Sequence, residues 1–250
     1  MKEKRITLIL SIALAVCAGA TIPTLISSIP PVEPYSVKSE VPYCVTPPSV
    51  PEQATFDGET IDLRRYDRRE RMDREMMSFT YMHSTTMLML KRANRYFPIV
   101  EPILKANGIP DDFKYLMVIE SSLNPIARSP AGAAGLWQFM PATGREFGLE
   151  VNDNIDERYN VEKATVAACK YFKQAYEKYG NWMAVSAAYN AGQGRITAQL
   201  DKQLADHAMD LWLVEETSRY MFRLLAAQEI FNNPQRFPVE TRAPLSPYSL

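Results

Sequence analysis

At 250 residues, 46% of them hydrophobic, the chain is long enough to bury one sizeable core and short for two full domains. Acidic and basic side chains nearly cancel, leaving a formal net charge of -1, so the composition shows no electrostatic footprint for nucleic acid or for an anionic membrane surface. A polar, weakly charged partner fits that balance, and no nucleic-acid partner is expected.

Residues 1–20 read as a signal peptide. Lys2, Lys4 and Arg5 precede an apolar run from Ile6 to Ala18, which ends in Ala18-Gly19-Ala20, an A-x-A cleavage site. Apolar residues continue to Ile29, so the alternative is an uncleaved anchor tethering the chain to a membrane; Pro23 and the short continuous run argue against it. Val16 stands where a lipobox ahead of Cys17 wants a small residue, so lipid modification is not expected. Either way the remainder is expected to be exported, periplasmic or envelope-associated. Residues 21–58 read as a Pro-rich linker, because "SIPPVEPYSVKSEVPYCVTPPSVP" disfavours both helix and sheet ladders. Cys44 within it and Cys169 downstream are expected as free thiols, since nothing in their spacing asks for a disulfide.

Residues 59–91 read as a charged helical extension. "DLRRYDRRERMDREMM", Asp62 to Met77, alternates charge signs at helical spacing and predicts a solvated helix held by i,i+4 pairs. Beyond it the pattern is helix after helix. Ser84 is placed to cap one, Pro98 to open the next with Gly108 closing it, and Pro110-Asp111-Asp112 to open the helix that carries Glu120. Pro141 opens a short helix closed by Gly148, Asn160 caps one closed by Gly180, and "WMAVSAAYNA" ends at Gly192. A last helix runs from about Glu215 to the stop at Asn232-Asn233-Pro234. No alternating run is long enough to predict a sheet, so the fold class is mostly α. Residues 238–250 read as a loose tail.

Glu120 interrupts an apolar helix. Phe113, Leu116, Met117 and Glu120 fall at i, i+3, i+4 and i+7, which places the carboxylate on the core-facing stripe. Desolvation there favours the protonated carboxyl, the state a general acid requires. The bland alternative is a structural ion pair with a neighbour such as Arg128. The company favours chemistry. Ser121 and Ser122 adjoin the carboxyl, "PAGAAGLWQFMP" sets small residues where backbone must approach something closely, and Gln138 lies between Trp137 and Phe139, a mixture suited to sugars. Tyr189-Asn190 ends one apolar helix, and Glu216 and Tyr220 open another. Each of these is also readable as a satisfied core polar group. His83 and His207 lack metal-ligand spacing, and no glycine-rich phosphate loop follows a strand, so neither metal nor cofactor is expected.

The motifs "ESSLNP", "GAAGLWQFMP", "AAYNAGQGRI" and "EETSRY", in this order, resemble those of the lytic transglycosylases of the soluble lytic transglycosylase class (family 1), and most closely its membrane-bound lytic murein transglycosylase D branch. The similarity spans residues 92–237. It implies a lysozyme-like α-helical catalytic domain whose partner is the glycan strand of peptidoglycan, cleaved at the β-1,4 bond between N-acetylmuramic acid and N-acetylglucosamine. Carried over by motif, Glu120 matches the catalytic glutamate and Ser121 the residue that hydrogen-bonds near it. Gln138 and Met140 match positions lining the sugar groove, although Trp137 stands where the motif usually has methionine. Tyr189 and Asn190 match residues facing the catalytic centre, and Glu216 and Tyr220 the far wall. The C-terminal peptidoglycan-binding repeats of many branch members do not follow residue 237, so wall affinity is expected from the groove or the tether. A monomer is expected.

Hydrolytic glycosidases use two carboxylates, and here the candidates for a second are Asp153, Asp156, Glu157 and Glu216. A transglycosylase needs only one, because the muramic acid C6 hydroxyl attacks its own anomeric carbon. Three readings stay open at this point: the transglycosylase, a goose-type lysozyme-like hydrolase, and a non-catalytic peptidoglycan-binding protein.

Overall fold

A computed structural model describes residues 46–203, 208–211 and 215–237. The expected signal peptide, most of the linker with Cys44, and the expected tail lie outside the described residues.

The mostly α expectation is borne out, with one exception at the start. Strands β1 (Gln53–Phe56) and β2 (Glu59–Asp62) pair antiparallel, Phe56 opposite Glu59. Asp57 and Gly58, both at positive φ (44° and 77°), form the two-residue turn. Asp-Gly is a strong hairpin signal, because both central residues of a type I′ turn need positive φ. The expectation of no sheet and the placing of residues 53–58 in the linker are therefore corrected: four-residue strands are too short for an alternation test. Phe56, Ile61 and Leu63 are buried, and Asp57 N–H donates to Asp112 Oδ2 at 2.9 Å, which ties the turn to the main body.

Helix α1 (Tyr66–Tyr81) is not the solvated helix its charges predict. Met72, Met76 and Phe79 are buried on one face, and that face packs against the last helix, α8 (Glu215–Asn232). Between α1 and α8 in chain order lie α2 (His83–Ala106), α3 (Lys114–Ser121), α4 (Pro141–Glu146), α5 (Val161–Tyr179), α6 (Trp182–Ala191) and α7 (Gln193–Gln203). Helix α2 runs through both Pro98 and Pro102, so Pro98 does not open a helix and Ser84 lies inside one. Each proline removes one backbone bond. What holds the helix across them is the continuous buried stripe Met89, Ala93, Tyr96, Val100 and Leu104, at spacings of three and four.

Elsewhere the expected punctuation is observed. Asn160 Oδ1 accepts from Lys163 N–H at 2.9 Å at the start of α5, and Gly180 ends it at φ 60°. The centre of the core is α8, where Tyr220, Met221, Phe222, Leu224, Leu225 and Ile230 are buried nearly all round. It contacts α1, α3 and α6, so the helix carrying Tyr220 touches the helices carrying Glu120 and Tyr189. Cys169 is a free, buried thiol that desolvation pushes up to about 11, which makes it inert packing.

Candidate active site

Helix α3 ends immediately after Glu120. Ser122 and Leu123 both take positive φ (53° and 55°), and their N–H groups reach back to Val118 O (3.0 Å) and Met117 O (3.4 Å). The Ser122 bond is the 5→1 bond of an αL helix stop, made here without glycine. Full burial of Leu123 and a bond from Arg92 of α2 to Ser122 O (3.0 Å) hold it. The carboxylate thus sits in the last turn, near the negative end of the helix dipole, which further disfavours ionisation.

Glu120 is partly buried and lines a groove of about 790 Å³. Its hydrogen-bond partner is Tyr220, whose hydroxyl donates to Oε1 at 2.8 Å, not Arg128, which is exposed. Burial pushes the Glu120 carboxyl up to about 7; the Tyr220 bond and the positive charge of Arg223 pull it down, and Glu216 pushes it up. A carboxyl half protonated near neutrality is suited to giving and then taking back a proton. Replacing Tyr220 by Phe removes a bond that favours the ionised form, so the Glu120 titration midpoint is expected to rise. Carbon-13 NMR of the carboxyl against pH reads this, and an unmoved midpoint would show that the 2.8 Å contact is not felt.

The groove brings Gln138, Met140, Tyr189, Asn190 and Glu216 together with Glu120. Gln138 sits at φ 51° in a turn closed by Ala134 N–H to Phe139 O (3.0 Å). Its amide nitrogen donates to Gly135 O at 2.8 Å, leaving the amide oxygen without an intramolecular partner among the described residues. Tyr189 donates to Trp137 O at 2.6 Å, and its ring packs on Tyr171 and Phe172 at 5.1 and 5.4 Å. Burial, then the Glu120 charge, holds its phenol well above the usual range, so it stays a neutral donor. Trp137 is fully buried with Nε1 donating to Thr165 Oγ1 at 2.9 Å; it supports the groove from beneath and does not line it. Met140 is exposed on the groove.

Two residues sit differently from the motif carry-over. Ser121 turns its hydroxyl back to Met117 O (3.0 Å) and does not line the groove. Tyr220, expected on the far wall, touches the catalytic candidate directly and lines a smaller adjoining pocket with Asn190, Glu216, Arg219 and Arg223. Of the candidate second carboxylates, Asp156 is engaged by Arg158 at 2.7 Å and Glu157 by Lys163 and Glu150 N–H. Neither lines the groove, whereas Glu216 does. Thr143, Glu146, Tyr171 and Gln174 also line it and were not singled out by motif. Tyr171 and Gln174, at i and i+3 of α5, share a face, but without the fold that face is indistinguishable from core.

Residues 97–209 match the family model described as Transglycosylase SLT domain. The chain is similar to the membrane-bound lytic murein transglycosylase D of Escherichia coli, 32% identical over 176 residues that cover 68% of this chain and 38% of that protein. It is similar also to the soluble lytic murein transglycosylase of Escherichia coli, 35% identical over 94 residues, 34% of this chain and 15% of that one. Among solved structures, the 70 kDa soluble lytic transglycosylase from Escherichia coli aligns with a TM-score of 0.48 at 23% identity, over 60% of this chain and 27% of that chain. This chain spans well under half the length of each of these three.

Proposed function

We propose that this chain, which belongs to the transglycosylase SLT family through residues 97–209, is a peptidoglycan lytic transglycosylase. It cleaves the β-1,4 bond between N-acetylmuramic acid and N-acetylglucosamine and leaves 1,6-anhydro-muramic acid ends. The observation that carries this reading is one desolvated carboxyl, Glu120, bonded by Tyr220 on a groove of mixed polar and apolar lining. The names of the relatives, lytic murein transglycosylases, give the substrate class.

Protonated Glu120 donates its proton to the glycosidic oxygen as the bond to the muramic acid anomeric carbon breaks, and the bonding pair leaves with that oxygen. The Glu120 carboxylate, steadied by the Tyr220 hydroxyl, then accepts the proton of the C6 hydroxyl as that oxygen closes on the anomeric carbon. The carboxyl ends as it began, and no water is consumed. Intramolecular attack supplies a high effective molarity, roughly 10⁵ M or more in well-oriented cases, which makes an activated water unnecessary. The amide oxygen of Gln138 accepts from a sugar N–H or hydroxyl, with Asn190, Met140 and Glu216 along the strand's path. Tyr189 holds the Trp137-Gln138 turn in shape, and Ser121 holds the helix end under Glu120. The enzyme acts as an exported monomer on the glycan strand.

Hydrolysis keeps a foothold, because Glu146 and Glu216 are further carboxylates on the same groove. Digesting purified sacculi and weighing the fragments tests both readings. Anhydro-muropeptides are expected, each lighter by one water than its reducing counterpart. Reducing ends would overturn transglycosylation, and no release would leave a binding module.

A further inference from the structure

The residues matched by the family begin at position 97, yet a charge upstream of them pairs with arginines that line the pocket adjoining the groove. Glu75 of α1 is fully buried, and its two carboxylate oxygens face α8. Oε1 accepts from Arg219 Nε at 2.7 Å and Oε2 lies 3.3 Å from Arg223 Nε, with Arg74 Nε at 3.5 Å from Oε1. Arg219 and Arg223 are one helical turn apart, so one carboxylate spans the turn. Both arginines line the pocket that holds Tyr220, Asn190 and Glu216.

We propose that Glu75 is a positioning residue for the acid/base centre, fixing through Arg219 and Arg223 the rotation of α8 and the charge that its wall presents to Glu120. The geometry is helical. Tyr220 follows Arg219 by about 100° around the axis, so pinning the two arginines against α1 leaves the Tyr220 hydroxyl directed at α3, where it meets Glu120. Arg223, held on its Nε side by Glu75, supplies the positive charge felt at Glu120. A buried carboxylate left without partners is unfavourable, so the pairing itself resists rotation of either helix. The segment before the family match is on this view part of the site's foundation.

The consequence for turnover rests on the reading of Glu120 as the acid, but the first test does not. The groups facing Glu120 are Tyr220, Arg223 and Glu216 from α8 and Tyr189 from α6. Carbon-13 NMR follows the Glu120 carboxyl against pH in the substrate-free protein, with Glu120→Gln to assign the resonance. Glu75→Gln frees Arg223 toward solvent, so the midpoint is expected to rise by roughly half a pH unit, a threefold change in the ionised fraction. Arg223→Gln is expected to raise it as well, and Glu75→Gln to raise it by less in the Arg223→Gln background than in the parent, the remainder acting through Arg219 and Tyr220. If Glu75→Gln does not fold, Glu75→Asp, which keeps the charge but withdraws it by one methylene, is read by the same criteria. A midpoint that stays or falls, or that rises equally with and without Arg223, overturns the proposal. Where sacculi are cleaved, the pH profile of kcat/KM moves with the midpoint. Absence of cleavage by the parent protein would count against the proposed activity alone.

Discussion

Glu120→Gln is expected to lower the release of muropeptides from sacculi by roughly 10³-fold or more, because the amide can neither protonate the leaving oxygen nor take the C6 hydroxyl proton. Gln fills the same volume and still accepts from Tyr220, so the groove survives and only the proton is lost. The same variant is expected to be the more stable protein above neutral pH. Burial raises the Glu120 carboxyl from an ordinary 4.5 to about 7. Between those values the unfolded chain has released a proton that the folded chain retains, so stability falls as pH rises across this window. Above about pH 7 the parent carries the full cost of an ionised, poorly solvated carboxylate, about 2 kcal/mol once partial exposure is allowed for. Glu120→Gln does not carry it. Thermal melts should therefore show the variant ahead of the parent at pH 8 and level with it at pH 4. Equal melting temperatures at pH 8 would mean that the carboxyl is as well solvated as any surface glutamate. The reading of Glu120 as the acid would then lose its physical basis. Parent activity should fall on the alkaline side with a midpoint near 7, as the acid form is depleted.

How legible the site was depends on whether its determinants are local. The stripe Phe113, Leu116, Met117, Glu120 is a 3.6-residue pattern, and it turned the carboxylate inward in the sequence as in the structure. Helix ends made by local chemistry, Asn160 and Gly180 among them, were legible for the same reason. Long-range pairs were not. The Tyr220 bond to Glu120 joins residues 100 positions apart, and no spacing rule links them. The Glu75 cluster joins residues 144 apart, and within α1 its charges look like ordinary i,i+4 traffic. Pro98 and Pro102 show the converse failure. A strong local rule, that proline stops a helix, is overridden where a buried stripe continues across it. The hairpin was missed because a buried Phe56 and an Asp-Gly turn carry it, not a periodic run.

Gly135→Ala is expected to be among the most damaging single substitutions in the chain, costing about 4 kcal/mol, the left-handed backbone and the overpacking each contributing roughly 1–3 kcal/mol. Gly135 sits at φ 78°, and a Cβ there would lie 1.9 Å from the Arg158 carbonyl oxygen and 2.8 Å from its carbon. Backbone cannot step aside as a side-chain tip can, and Arg158 is anchored on every side available to it. Its guanidinium bonds Asp156 at 2.7 Å, Gly132 O at 2.7 Å and Phe139 O at 2.9 Å, with only 4% of the residue exposed. The alternative is for the 134–139 turn to move. That breaks Ala134 N–H to Phe139 O and takes from Gln138 the Gly135 carbonyl that holds its amide. Gly132→Ala is the control. At φ 92° it shares the backbone strain, but nothing lies within 4 Å of its Cβ, so about 1 kcal/mol is expected. Urea denaturation of both variants separates the two contributions. If Gly132→Ala proved as costly as Gly135→Ala, the close approach to Arg158 would carry no energy. If Gly135→Ala folds by shifting the turn, muropeptide release should fall with it while the Glu120 titration stays in place, because the displaced group is Gln138, which is proposed to contact the sugar, and its turn is not part of α3.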